Sequence, residues 1–323
     1  MKKVLVSSSH FDTLCHDAWD LFEENGIEVI FDAKKAFPAY TTEEIEAHPD
    51  REEIVAALIG MDDYRDERKY QALPNLKAVA KFGVGVDNID GALAKKYGVK
   101  ALNAPGQNSN AVAELTVSFM LNLLRGVIPL HKAMEEGGWP RHIGTEIKGK
   151  TVGLLGFGAI AKLVARKLQC FDVTVLAYDL YPDVKAAQEM GVKLTTQEEV
   201  ITASDIVSIH IPATPDNYHL FDRDTIAKMK DGAYLVNPAR GALVDLDAAA
   251  EALLSGKLAG AAIDAFELEP LPKDAKILQC ENIVLTPHTG AETKESYYNV
   301  SITTAKDIIR VVNGQEPDHC VNP

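Results

Sequence analysis

The sequence predicts an α/β fold built from parallel sheets flanked by helices, on three observations. Short β-branched runs alternate with longer stretches of helical period. Several of those runs are apolar without alternation, as expected of strands covered on both faces. Near mid-chain, one of them enters a helix through a turn of small residues.

The start, Met1-Lys-Lys-Val-Leu-Val-Ser-Ser-Ser9, has too short an apolar stretch for a secretory signal and reads as a first strand, Lys3–Ser7. Glu28–Asp32, Ile54–Gly60, Lys77–Phe82 and Val99–Asn103 continue that group. Helices fill the gaps, among them Cys15–Asn25 and Asp90–Tyr97, closed by Gly26 and Gly98 at the position where a left-handed residue ends a helix. Asn110–Arg125 follows, amphipathic, with Val112, Leu115, Phe119, Met120 and Leu123 on one side and Thr116 as the polar intrusion. It is expected to act as a strut between two strand groups. The second group reads Thr151–Gly156, Val173–Asp179, Lys193–Thr195, Ile206–His210, Ala233–Asn237, Gly260–Asp264 and Ile283–Thr286, and a last helix spans Glu292–Asn313.

A chain of 323 residues predicts about two domains, each able to bury its own core. Hydrophobic residues at 46% and charged residues at 25% exclude a disordered or fibrous chain. No apolar run approaches the roughly 18 residues of a membrane span. Lys and Arg number 33 against 47 Asp and Glu, a net charge of −14 without a basic stripe, which argues against a nucleic-acid partner. Cys15, Cys170, Cys280 and Cys320 form no CxxC pair and no Cys/His cluster, so neither a disulfide framework nor a metal site is expected, and a reducing cytoplasm is.

Gly156-Phe-Gly158-Ala159-Ile160-Ala161 is a G-x-G-x-x-A turn between a strand and the helix Ala161–Gln169. Gly156 permits the tight turn, Gly158 lets the backbone approach a pyrophosphate, and Ala161 keeps helix and strand close. The helix start offers N–H groups and a positive dipole end to the phosphates. Asp179 ends the next strand, 21 residues past Gly158, where a carboxylate would bond the ribose hydroxyls and repel a 2′-phosphate. Leu180, Tyr181 and Pro182 supply no arginine for that phosphate, so NAD is expected over NADP. This half reads as a Rossmann-type doubly wound parallel sheet. A second pair, Gly83-Val84-Gly85, lacks the third small residue; it is a plain turn or a nest of N–H groups for a small anion.

In open parallel sheets, ligands gather beyond the carboxyl ends of the strands. Three such ends here are followed by Arg240, Glu269 and His288. Together they suit a 2-hydroxy acid: histidine exchanges the hydroxyl proton in either direction, a carboxylate on its other nitrogen orients it, and a guanidinium fork grips the substrate carboxylate.

The chain resembles the D-2-hydroxyacid dehydrogenases, in particular their 3-phosphoglycerate dehydrogenase-like branch. The likeness runs through Phe82-Gly-Val-Gly-Val-Asp-Asn-Ile-Asp90, Asn103-Ala-Pro-Gly106, Ala111-Val-Ala-Glu114, Trp139-Pro-Arg141, Gly149-Lys-Thr151 and Gly156–Ala161. It continues through Asn237-Pro-Ala-Arg-Gly241, Asp264-Ala-Phe-Glu-Leu-Glu-Pro270, Thr286-Pro-His-Thr-Gly290 and Val321-Asn322. The resemblance implies that Arg240 binds substrate, that His288 is the acid/base and that Glu269 is its partner. It also implies that the Gly83–Gly85 loop, through Val84 and Gly85, holds the substrate carboxylate; Lys81, standing where relatives have an arginine, is a candidate further contact. Gly156, Gly158, Ala159, Ile160, Asp179, Ile211, Pro212, Pro238, Ala239, Arg240, Asp264, His288, Gly290 and Ala291 are the cofactor contacts it implies.

It further implies that an NAD-binding domain (104–290) is inserted into a flavodoxin-like substrate domain (1–103 and 291–323). Hinges near Asn103 and Gly290, closure around the reacting atoms and a homodimer built on the cofactor domains follow from the same likeness. One departure concerns substrate. Where phosphoglycerate-specific members carry arginines, this chain has Gly60-Met-Asp62-Asp63 and Lys81, and the two carboxylates are expected to disfavour a phosphate. A 2-keto acid reductase is therefore the leading expectation, with phosphoglycerate dehydrogenase proper, or a corepressor-like NAD-responsive binding module without turnover, as alternatives.

Overall fold

A computed structural model describes residues 1–322. The chain divides into two compact units, Met1–Asn108 with the chain from Ala291 onward, and Ser109–Gly290. The first break follows Asn108, five residues later than the sequence reading places it.

The first unit is a five-stranded parallel sheet of β1 (Lys2–Val6), β2 (Ile27–Phe31), β3 (Ile54–Ile59), β4 (Ala78–Lys81) and β5 (Lys100–Leu102), in the order β2-β1-β3-β4-β5. Alternate residues feed two cores. Val4, Val6, Ala56, Leu58, Ala78 and Ala80 enter one, and Leu5, Ala57, Ile59 and Val79 the other. The helix Lys294–Val312 covers the first of these faces with Tyr297, Ala305, Ile308 and Val312. It starts two residues later than expected, because the Thr293 hydroxyl accepts from the Ser296 N–H at 3.1 Å and caps it there.

The second unit is a seven-stranded parallel sheet of β6 (Thr151–Leu155), β7 (Thr174–Tyr178), β8 (Lys193–Leu194), β9 (Ile206–Ile209), β10 (Ala233–Asn237), β11 (Leu258–Ile263) and β12 (Ile283–Leu285). Its order is β12-β11-β10-β9-β6-β7-β8, so the winding reverses between β6 and β9. Leu155, Val207, Ile209, Leu235 and Ala261 face one core while Leu154, Ile206, Val236 and Ala262 face the other. This two-sided burial is the physical reason that these strands read as unbroken apolar runs. The helix expected as a strut, Ser109–Arg125, sends Ala113, Phe119, Met120, Leu123 and Leu124 into the second of these cores. Its Thr116 is buried and satisfied by donating to Val112 O at 2.7 Å.

Because every strand of the second sheet runs the same way, Gly156, Asp179, His210, Arg240, Asp264 and His288 all follow carboxyl ends on one edge. No single helix among the described residues is long and apolar enough to cross a membrane.

Candidate active site

The turn after β6 is shaped by what it cannot hold. Gly156 has φ +94°, and a Cβ there would lie 2.6 Å from the His210 carbonyl oxygen across the β6–β9 reversal. Gly158 faces open space, and the helix it starts, Ala159–Leu168, has no side-chain cap. Exposed Gly158 and Ala159, with partly exposed Ile160, present N–H groups without a partner among the described residues, while Ala161 is fully buried against the strand. Asp179 lies partly exposed just past β7. Its Oδ2 accepts from Phe157 N at 2.6 Å and its Oδ1 from Tyr181 N at 2.8 Å, so it tethers the glycine turn and keeps a lone pair on each oxygen. An uncapped helix start, a glycine with nothing over its Cα and a carboxylate at the next strand end fit a dinucleotide pyrophosphate and ribose. Ile211 and Pro212 continue from His210 beside this turn, partly exposed and exposed.

His288 sits on a turn with φ +55° that is organised from below by Asp264. Asp264 is 1% exposed; its Oδ1 accepts from the Thr286 hydroxyl (2.6 Å) and Thr289 N (2.8 Å), its Oδ2 from Gly290 N (2.8 Å), and its carbonyl from His288 N (2.7 Å). The resemblance implies a cofactor contact for Asp264; its carboxylate also brackets the turn that bears the histidine, and Oδ2, with one bond, keeps a lone pair. Gly290 is buried above the Asp264 carboxylate, and Ala291 begins the return to the first unit.

His288 Nδ1 lies 3.0 and 3.1 Å from the two Glu269 oxygens. Burial would raise the Glu269 pKa, but the hydrogen bonds from His288 and Phe266 N and the charges of His288 and Arg240 outweigh it and hold the carboxyl below its ordinary value. An ionised Glu269 fixes the proton on Nδ1. Nε2, without a partner among the described residues, is then free to exchange one.

Arg240 follows β10 on a turn stapled by Asn237. This asparagine is fully buried, donates to Arg240 O at 2.8 Å and accepts from Ala239 N at 3.1 Å. Pro238 is buried beneath the turn, Ala239 is partly exposed, and Arg240 Nη1 donates to Ala239 O. A Cβ at Gly241 would overlap the Phe266–Glu267 peptide, so the arginine loop and the Glu269 loop are in backbone contact. The sequence reading missed Asn237 and Gly241 as positioning residues; both stand inside the motif it quoted. His210 is not a rival acid: desolvation pushes its imidazole down to about 3, and its Nε2 is 2.9 Å from Ser208 Oγ.

In the first unit, the Val84 and Gly85 N–H groups have no partner among the described residues, while Asn103 holds the Val84 carbonyl at 2.8 Å. Lys81 Nζ donates to the Gly60 carbonyl. Asp62 and Asp63 do not face a ligand as the two open carboxylates the sequence suggests. Asp62 is 2% exposed, accepts from Ser7 Oγ and has its pKa raised by burial, and Asp63 is ion-paired with Arg65 at 2.7 Å. Neither presents an unpaired charge to a ligand.

A profile described as the NAD binding domain of the D-isomer specific 2-hydroxyacid dehydrogenases matches residues 117–290. The chain belongs to that family. It is 38% identical to a glyoxylate reductase from Thermofilum pendens over 85% of each chain. It is 34% identical to a D-3-phosphoglycerate dehydrogenase from Archaeoglobus fulgidus, matching with 99% of its length but spanning only 59% of that relative. A D-isomer specific 2-hydroxyacid dehydrogenase from Lactobacillus delbrueckii ssp. bulgaricus, solved in its NAD complexed form, superposes with a TM-score of 0.79 at 27% identity over the whole of both chains. The glycine turn, Asp179 and the strand ends through Gly290 thus lie in an NAD-binding domain, and NAD is the cofactor.

Proposed function

We propose that the protein is an NAD-dependent 2-keto acid reductase of the D-2-hydroxyacid dehydrogenase family. The observation that carries the reading is the His288–Glu269 pair at 3.0 Å, on the same sheet edge as the glycine turn. NADH held by the Gly156–Gly158 turn and Asp179 would supply the hydride that reduces C2 of the substrate. His288, protonated and oriented through Nδ1 by ionised Glu269, gives the Nε2 proton to the keto oxygen. Arg240 holds the substrate carboxylate and polarises the adjacent carbonyl. The open N–H groups of Val84 and Gly85 are proposed as further carboxylate donors, with Lys81 as a secondary contact.

Substrates without a phosphate, such as glyoxylate or hydroxypyruvate, are favoured, because Arg65 is held by Asp63 and Lys81 by a main-chain carbonyl. The four cysteines are free thiols, which supports a reducing compartment. Two copies are proposed to pair through the helix Val127–Glu135 and the segment after it: no residue of that helix is buried, and Trp139 and Ile143 are 77% and 96% exposed.

The test is NADH oxidation against glyoxylate, hydroxypyruvate, pyruvate, phosphohydroxypyruvate and bulkier branched or aromatic keto acids. At least one unphosphorylated acid should turn over, and His288→Ala should lose about 10²–10⁴-fold. No turnover across the panel, or a His288→Ala variant as fast as wild type, would sink the proposal.

A further inference from the structure

The loop that carries Glu269 runs from β11 to the short turn Lys276–Gln279 without strand or helix, and its Leu268 is 63% exposed. A carboxylate on such a loop keeps its aim only if the backbone is tied down elsewhere. One tie is local: Phe266 N donates to Glu269 Oε1 at 2.9 Å. Another is the contact of Gly241 with the Phe266–Glu267 peptide.

The third comes from the connection between β9 and β10. Tyr218 donates its hydroxyl hydrogen to Glu267 Oε1 at 2.7 Å, and His219 Nε2 lies 3.2 Å from Glu267 Oε2. The two rings stack at 3.9 Å and 17°. His219 is fixed at φ +50°, and its N–H donates to Ala242 O at 2.8 Å, within the arginine loop. Glu267 thus ties the loop after β11 to the loop after β9, which His219 N in turn ties to the loop after β10, and the reaction as proposed assigns no step to Tyr218, His219 or Glu267.

We infer that Glu267, clasped by Tyr218 and His219, is a positioning residue that keeps Glu269 against His288. The inference rests on the proposed roles of those last two residues. Tyr218 and His219 hold the Glu267 carboxyl below its usual range, so it accepts both bonds at neutral pH; Asp245 adds its charge on the Tyr218 side. His288 faces Glu269 and the Asp264 carbonyl, and Arg240 adds its charge at Glu269. With Glu267 removed, the loop loses its outer tie, Glu269 drifts, and the His288 imidazolium loses support.

The experiment is NMR titration of His288, assigned with His288→Asn, in the NADH-bound protein, beside the pH profile of glyoxylate reduction. Glu267→Ala should move the alkaline limb of that profile and the NMR midpoint to lower pH and slow reduction above them severalfold. NADH affinity should hold, and Glu267→Gln, which keeps an acceptor for Tyr218, should restore most of the shift. An unshifted titration in Glu267→Ala overturns the inference. Should that variant not fold, the milder Tyr218→Phe/His219→Gln pair decides by the same criterion. The titration needs no turnover. A protein that reduces no keto acid therefore defeats the proposed function, whereas an active enzyme with an unmoved His288 defeats this inference alone.

Discussion

A histidine at φ +55° costs of order 1–3 kcal/mol in backbone strain, and His288 stays there because Asp264 accepts from Thr286, Thr289 and Gly290 around it. Hydrogen bonds to a charged acceptor contribute about 1.5–3 kcal/mol each, so the bracket outweighs the strain. The side chain then points Nδ1 at Glu269, whose charge lies beside the imidazolium that reduction uses. Reduction uses the imidazolium, so its rate falls as pH rises and that form is lost. Glu269→Gln removes the negative charge that favours the imidazolium. The alkaline limb of the keto-acid reduction profile should therefore move to lower pH. A limb at the wild-type pH would show that Glu269 does not act on His288.

Among elements, the β6–helix turn has the least freedom. Gly156→Ala would put a methyl carbon 2.6 Å from His210 O on a residue at φ +94°, and neither neighbour is the free end of a flexible side chain. The expected cost is about 1–3 kcal/mol of stability, seen as a lower Tm. NADH binding, measured by fluorescence titration, should fall by at least tenfold, because the helix start moves off the pyrophosphate. NADH affinity equal to wild type would show that the turn does not carry the cofactor. Gly158→Ala, with open space over its Cα, should leave Tm nearly unchanged while weakening NADH, which separates fold from binding.

For the whole molecule, a net charge of −14 keeps copies apart in general, so pairing needs a specific apolar patch. Trp139 and Ile143 provide one beside a helix with no buried residue. Sedimentation should find the wild type as a dimer and Trp139→Asp/Ile143→Asp as a monomer with an unchanged circular-dichroism spectrum. A dimer that persists in the double variant would exclude this surface.

Strands, the glycine turn and the three charged strand ends were legible in the chain because each is a local pattern. Two-sided burial makes a strand apolar throughout, a tight turn demands glycine, and a strand end is where its own sequence stops being apolar. Roles that depend on distant partners were not legible. That Asp264 brackets the His288 turn shows only once Thr286, Thr289 and Gly290 fold onto it; Asp62 reads as a surface charge until Ser7 meets it 55 residues away; and Glu267 has no evident purpose until His219 arrives from 48 residues away. Local sequence thus determined the sheets, the cofactor turn and the candidate acid/base. Tertiary structure alone decided which carboxylates are spent on holding the backbone, because a hydrogen bond depends on distance in space and the spacing along the chain does not encode it.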